Sequence, residues 1–357
     1  MPGDGAAHLM GIFSRQPAPT LEAAPPVPVP VAPPVEGFGF DEFLGDPFAH
    51  HLAREGAAGN WRAFHDACEE VDDPYQRYFY AGVLADLESF PQGWFESTAG
   101  SQFPLVARGA FLISQAWKAR GTGPVETVDP SAWPRFRNLL LDAERDLGHA
   151  AALRPGDPGP WARSILTGTG LGAAKPDLLN RFSETRARAA DFHPAFAAII
   201  SAVSKRWEGS HELMFETAGQ IDATVPDGSP GRVAVLRAHF ERRLHYAVWE
   251  RNSDLARSYY RDPAVRADVE RATRYSVFSS YFRPDALTPM VWVEFAYALS
   301  LTGEAEPGDW RAAAWVFDRL GERGVPAGPW RQRFGSSAEA EYEDRRNLCR
   351  QAAASAP

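Results

Sequence analysis

From Phe38 onward, apolar positions recur along the chain at steps of three and four residues, which is the period of an α-helix. Short connections that contain Gly and Pro separate these runs, as helical hairpins require. Alternation of the strand type is confined to very short stretches. The pattern predicts an all-α protein with helices at 45–55, 61–71, 74–89, 104–120, 132–154, 160–168, 176–190, 195–207, 211–221, 231–251, 253–260, 264–278, 288–302, 309–321 and 337–353.

The predicted helix 132–154 has the most informative spacing in the chain. Ala143, Leu147 and Ala150 fall at i, i+4 and i+7 and therefore share one helical face. The two alanines allow a neighbouring helix to approach closely, and the leucine fills the space between them. Pro155 cannot continue the helix, because it lacks an N–H and its ring clashes with the preceding turn.

The residues after Pro155 extend this pattern. Trp161 stands where an aromatic residue opens a second helix, and Gly172 stands where a small residue ends it. This order of small, bulky, small, proline and aromatic positions resembles the tetratricopeptide repeat. The resemblance implies helical hairpins stacked into a superhelix, which the Pro- and Gly-containing connections 222–231 and 279–288 make irregular.

Two short segments echo each other near the ends of the helical region. Residues 59–61 read Gly-Asn-Trp, and residues 308–310 read Gly-Asp-Trp. In each segment the glycine is predicted to leave one helix, the Asn or Asp to cap the next, and the tryptophan to be its first residue.

A second resemblance rests on the turn formed by Trp207, Gly209 and Ser210. The glycine is predicted to separate two helices, and the serine to be the N-cap of the helix 211–221. The segment resembles a group of uncharacterised bacterial helical-repeat proteins of the tetratricopeptide-like type with a Trp-x-Gly-Ser turn. This resemblance spans most of residues 130–335, and it implies a fold without implying a reaction.

The chain divides into two predicted regions. Residues 1–36 hold nine of the 30 prolines and are predicted to be a disordered, solvated tail with polyproline II character. A ligand for a proline-recognition domain is an alternative for this tail, and Met10 is an alternative start. Residues 37–357 are predicted to form the helical-repeat domain.

Composition narrows the classes of function. The net charge of −9 argues against nucleic acid as a partner, because phosphate binding needs a basic face. No run approaches 18 apolar residues, so no membrane-spanning helix is expected. Only two cysteines occur, far apart, which is typical of a cytoplasmic protein. Abundant Ala, Gly, Pro and Arg with little Lys indicate a GC-rich bacterial genome.

Candidate metal and cofactor motifs are incomplete. His211 and Glu212 begin like a zinc-protease helix, but Phe215 stands where the second histidine is needed. His65, Cys68 and Glu69 share a helical face but lack a fourth ligand. The Gly-rich segment 168–172 fits no phosphate-binding loop. The sequence therefore predicts neither a metal nor a cofactor.

The best candidate binding surface lies on the predicted helix 231–251. Its core stripe is predicted to consist of Val235, Leu236, Phe240, Leu244 and Val248. A second face, predicted to bind a partner, carries His239, Arg242, Tyr246 and Trp249 at steps of three and four residues. Tyr, Trp and Arg are the residue types that most often anchor interfaces.

These features favour a non-catalytic scaffold that holds a protein or peptide partner, with an acidic or C-terminal carboxylate group suited to the arginines. The alternative is an enzyme with an active site in a pocket between helices, formed by His239, Glu241 and His245. A self-assembling structural role is a third possibility, and the oligomeric state stays open.

Overall fold

All the regular elements in the described part of the chain are helices, so the predicted all-α class is confirmed. The computed structural model describes residues 38–121, 123, 125–303, 307–321 and 324–355, and no strand occurs among them. The predicted Pro-rich tail and the alternative start at Met10 lie outside the described residues.

Seventeen α-helices are numbered here in chain order. The first nine are α1 Pro47–Ala57, α2 His65–Glu70, α3 Pro74–Val83, α4 Trp94–Ser97, α5 Gln102–Arg120, α6 Ala132–Leu153, α7 Gly159–Leu171, α8 Lys175–Arg188 and α9 His193–Ala202. The remaining eight are α10 His211–Thr224, α11 Val233–Val248, α12 Ser253–Ser258, α13 Pro263–Arg274, α14 Thr288–Thr302, α15 Pro307–Leu320, α16 Gly328–Phe334 and α17 Ala338–Ser355. Turns of 3-10 helix occur at Trp61–Ala63, Leu84–Asp86, Val125–Thr127, Lys205–Trp207, Pro230–Arg232, Tyr259–Arg261 and Gly335–Ser337.

The sequence pattern missed two short helices and overextended several long ones. α4 and α16 have four and seven residues, which is too few to show an apolar period. The helix predicted at 195–207 ends at Ala202, and Lys205–Trp207 forms a separate 3-10 turn. The helix predicted at 264–278 likewise ends at Arg274.

The repeat-like segment is packed as its spacing predicts. Ala143, Leu147 and Ala150 are all buried on α6. α5 packs on this face, where a Cβ at Gly109 would lie 2.9 Å from Leu147 Cδ2. α7 ends at Gly172, which takes the left-handed conformation at φ 74° that favours glycine. The α5–α6 contact therefore has the close approach, and α7 the termination, that the small residues predict.

The two echoed segments differ from their prediction. Asn60 does not cap through its side chain, because its Nδ2 donates to Glu55 Oε2 at 2.9 Å instead. Trp61 opens a 3-10 turn rather than an α-helix. In the second copy α15 begins at Pro307, so Trp310 is not its first residue. Proline is favoured in the first helical turn, where its missing N–H costs nothing.

The two ends of the helical body meet. The backbone N of Asp41 donates to the carbonyl O of Val325 at 2.8 Å. The ring of Phe38 stacks on that of Tyr342 in α17, with centroids 4.9 Å apart. An open superhelix has contacts only between neighbouring repeats. The segment 38–45 instead joins the first helices to the last ones.

α11 has more helical neighbours than a surface helix would have. It packs against α9, α10, α12, α13 and α14, and its apolar residues enter two of the core clusters.

Both cysteines are buried elsewhere in the core, and burial raises the pKa of Cys68 and of Cys349 to about 12. Within the described residues, no helix combines the length and the hydropathy needed to cross a bilayer.

The α5–α6 interface can be tested with two leucines of the same helix. We expect Leu147→Ala to lower the free energy of unfolding by about 2–5 kcal/mol, because it leaves a cavity against Gly109. Leu141 is 43 % exposed, so Leu141→Ala should change it by no more than ~0.5 kcal/mol. Urea unfolding followed by circular dichroism measures both. Equal effects of the two variants would contradict this packing.

Candidate functional site

α11 is buried along its first half and emerges at its end. All the residues of 233–241 are buried, and they include the first three members of the predicted core stripe. Leu244 is partly buried, but Val248 is 38 % exposed. The prediction of Val248 as a core residue is therefore wrong, because the last turn of the helix leaves the core.

The predicted binding face of α11 divides between interior and surface. His239 is only 3 % exposed, and its Nδ1 lies 2.9 Å from the Tyr259 hydroxyl. Its Nε2 lies 3.3 Å from Asp268 Oδ2. Both ring nitrogens are therefore engaged inside the body, and a partner cannot reach them directly.

The other three residues of that face lie together at the surface. The Arg242 guanidinium stacks over the Tyr246 ring at 4.0 Å, donates to its hydroxyl at 2.6 Å, and reaches Glu250 Oε1 at 3.3 Å. Trp249 is 38 % exposed and stacks on the ring of His245 with centroids 5.7 Å apart. Arg242 and Tyr246 are partly buried and Trp249 is exposed, so the three residues form a partly exposed surface of stacked aromatic and guanidinium groups.

Glu241 is the centre of a buried ion network. Its Oε1 accepts from Ser201 Oγ at 2.8 Å and from Arg206 Nη2 at 2.7 Å, and it lies 3.3 Å from Arg237 Nη2. Arg237 Nη1 lies 3.6 Å from Glu294 Oε1. Burial raises the pKa of Glu294, and the charge of Arg237 opposes that shift. The network joins α9, the 3-10 turn Lys205–Trp207, α11 and α14, and Arg206 is the most exposed of its charged groups, with 26 % of its side chain exposed.

His245 faces a different neighbour, His211 at the start of α10. The two rings are edge to face, with centroids 4.8 Å apart. Burial, reinforced by the charge of Arg242, lowers the pKa of His211 to about 4, and burial also lowers that of His245. His239, Glu241 and His245, which the enzyme alternative groups together, therefore contact three separate sets of side chains.

The Trp-x-Gly-Ser turn connects α9 to α10. Ser210 Oγ accepts from the backbone N of Leu213 at 3.0 Å and caps α10. The backbone N of Gly209 donates to Ser204 O at 3.1 Å. Trp207 packs edge to face on Trp117 of α5, with centroids 5.2 Å apart. The turn is a structural element that positions His211 at the first residue of α10.

A cavity on the other side of α11 is lined mainly by arginines. It has a volume of about 260 Å³ and lies among α11, α12, α14, α16 and α17. We call it the arginine pocket, and its lining consists of Arg243, Arg257, Tyr260, Arg261, Leu301, Arg333 and Arg345.

Arg243 is the deepest charge in this pocket. It is 9 % exposed, and burial lowers the pKa of its guanidinium. The described groups that act most on its charge are Tyr297, Arg333 and Tyr260. Arg333 Nη1 donates to the Tyr297 hydroxyl at 3.3 Å. The guanidinium groups of Arg243 and Arg333 therefore both lie near this hydroxyl.

The remaining lining groups include a tyrosine hydroxyl and further guanidinium groups. The Tyr260 hydroxyl is buried and has no hydrogen-bond partner among the described residues. Arg345 Nη1 donates to Ser300 O at 3.4 Å, and the exposed Arg257 pairs with Asp254 outside the lining. None of the described lining residues is acidic, although the whole chain carries a net charge of −9. The described lining thus presents cationic groups on an acidic protein.

A larger depression, of about 430 Å³, lies between the end of α1 and residues 89–92. No charged side chain lines it.

The triplet His65, Cys68 and Glu69 is not assembled as a ligand set. His65 Nδ1 accepts from Trp94, and Glu69 Oε1 accepts from the backbone N of Phe103 at 2.8 Å.

No family model, no curated protein and no solved structure matches this chain. Its function is therefore inferred from the geometry of its own sites.

Sequence reasoning missed the arginine pocket. Its arginines come from different helices, and one of them stands on α16, which the apolar pattern did not predict. The available signal was Arg243, which lies next to Arg242 on the helix chosen for binding. Arg243 follows His239 by four residues, so it shares a helical face with His239 as the residues of the predicted binding face do.

The glycine in the Trp-x-Gly-Ser turn can be tested with a matched glycine in α10. A Cβ at Gly209 would lie 1.9 Å from Val203 O, so Gly209→Ala should destabilise the protein by ~2 kcal/mol or more. Gly219 is exposed, with open space around its Cα, and Gly219→Ala should stabilise by about 0.5–1 kcal/mol. Thermal melts of both variants check this. A neutral Gly209→Ala would show that the turn is formed differently.

Proposed function

We propose that this chain is a non-catalytic scaffold that binds an acidic segment of a protein or peptide partner, with a carboxylate of that segment in the arginine pocket. The observation that carries this proposal is the pocket lining, in which five of the seven described residues are arginines and none of the seven is acidic. Guanidinium groups bind carboxylates through two parallel hydrogen bonds, which makes arginine the residue of choice for this recognition.

The charges in the pocket favour an anion on energetic grounds. Arg243 and Arg333 lie close enough that each disfavours the charge of the other. Buried charges are costly unless an opposite charge and hydrogen bonds offset their desolvation. A carboxylate between these two guanidinium groups would supply both, and the unpartnered Tyr260 hydroxyl could donate a further hydrogen bond.

The size of the pocket favours one chemical group over a whole small molecule. Sites for small-molecule ligands have volumes of roughly 300–1,000 Å³. The arginine pocket, at about 260 Å³, accommodates a carboxyl-bearing side chain or a chain terminus. The rest of a peptide would then lie on the outer surface, where Arg257 and Arg261 are exposed.

The partner surface predicted from the sequence is a second part of this proposal. Trp249 is exposed just after the end of the same helix, and the partly buried Arg242 and Tyr246 lie in its last turns, where they present aromatic and cationic groups. Such residues anchor interfaces when a partner desolvates them. His239 contributes only from beneath this surface, by holding Tyr259.

We further infer that the helices belong to the tetratricopeptide-like type. The close α5–α6 contact at Gly109 and the left-handed Gly172 after α7 support this inference. The joined ends of the body, through Asp41 and Val325, distinguish it from an open superhelix. In this arrangement the partner binds between helices near the last third of the chain.

The pocket can be tested with Arg333→Gln and a fluorescein-labelled poly-glutamate peptide, measured by fluorescence anisotropy. Loss of one partly buried guanidinium should weaken binding by about tenfold, since a hydrogen bond to a charged group contributes about 1.5–3 kcal/mol. Arg274→Gln is the matched control, because Arg274 is exposed and its ion pair among the described residues is with Glu270 on its own helix. It should weaken binding by less than about twofold.

Two outcomes decide the proposal. Equal affinities of the Arg333→Gln and Arg274→Gln variants would show that binding depends on general charge, and the pocket assignment would fall. Free phosphate is not expected to displace the labelled peptide. If free phosphate displaced it as effectively as free glutamate does, the pocket would be a site for small anions and not for a peptide.

A further inference from the structure

A cluster of three potential ligands lies outside the arginine pocket, where α10 begins and α11 ends. His211 is the first residue of α10, His245 is in the last turn of α11, and Glu250 follows that helix. One ligand atom from each lies within 4.8 Å of the others. His245 Nε2 is 3.6 Å from Glu250 Oε1. We propose that His211, His245 and Glu250 bind a divalent transition metal ion.

The nitrogens of the two imidazole rings are the main support for this site. Both ring nitrogens of His211 and Nδ1 of His245 are buried without a hydrogen-bond partner among the described residues. The His245 side chain is only 9 % exposed. Each imidazole nitrogen is a strong donor, acceptor or metal ligand, and a buried polar atom without a partner is costly. These nitrogens point to a ligand that has not yet been assigned.

The donor set selects the class of ion. Two imidazoles and one carboxylate suit zinc and its first-row neighbours, whereas calcium and magnesium require oxygen ligands. Three protein ligands leave a further coordination position open. The ligands come from two helices and a loop. No local motif therefore contains all three ligands. The sequence motif that starts at His211 has Phe215 in place of a second histidine, and for this reason the sequence predicted no metal.

Positive charges next to the cluster oppose metal binding. Arg242 Nη1 lies 3.3 Å from Glu250 Oε1, the oxygen that also lies 3.6 Å from His245 Nε2. The charges of Arg242 and Lys205 also act on both histidines. A metal ion would therefore compete with Arg242 for Glu250. Replacement of Arg242 should therefore increase the affinity for metal. Two histidines that only pack against each other would not show this increase.

The test is zinc binding to the metal-free full chain, measured by competition with a chromogenic chelator. The wild type should bind one equivalent of Zn²⁺ at this site. Loss of a ligand should weaken binding by more than about tenfold, because even second-shell partners contribute roughly 10–100-fold. Glu250→Gln is the primary variant, since Glu250 is exposed and glutamine keeps the size of the side chain. His211→Ala is the second.

Two further variants frame this test. His149 is exposed on α6, so His149→Ala should leave the affinity unchanged and controls for surface histidines. Arg242→Gln should increase the affinity several-fold. The visible absorption of bound Co²⁺ should disappear in Glu250→Gln and His211→Ala but persist in His149→Ala. The proposal is overturned if the wild type binds no Zn²⁺, or if both ligand variants retain its affinity.

Discussion

The structure depends on the accommodation of charged side chains along α11, a helix whose first half is buried on all sides. α11 carries Arg237 and Glu241 within the core and Arg243 at its edge. Moving an ionised group out of water costs several kcal/mol unless a counter-charge and hydrogen bonds compensate. Arg237 has two carboxylates near it, in Glu241 and Glu294. The described groups that act most on Arg243 are the tyrosines Tyr297 and Tyr260 and the charge of Arg333, and the arginine pocket opens at that point.

The shape of the arginine pocket is held by contacts far away in sequence. α16 and α17 supply two of its arginines, and both helices are tied to the start of the body. Arg331 of α16 pairs with Glu42 at 2.9 Å, and Tyr342 of α17 stacks on Phe38. The meeting of the two ends of the body therefore has a consequence for binding. A site whose guanidinium groups are already positioned loses less conformational entropy when an anion arrives.

The local sequence pattern predicted the helices and part of the surface site. The burial of His239 and the arginine pocket depend on tertiary contacts, which that pattern does not encode. α14 matches its predicted bounds because its apolar pattern and first-turn proline coincide. Arg242 and Tyr246 share a face by spacing alone, and they do contact each other. His239 has the same spacing, but Tyr259 from a later segment covers it. The arginine pocket gathers residues from five helices, and no spacing along one helix encodes such a set.

The most direct test of the central claim is a crystal structure grown in selenate, with anomalous scattering used to locate the bound anion. The account predicts an anomalous peak in the arginine pocket, within hydrogen-bonding distance of the guanidinium groups of Arg243 and Arg333. An ordered pocket without such a peak, in crystals that hold selenate at other arginines, would contradict the claim that this pocket binds anionic groups.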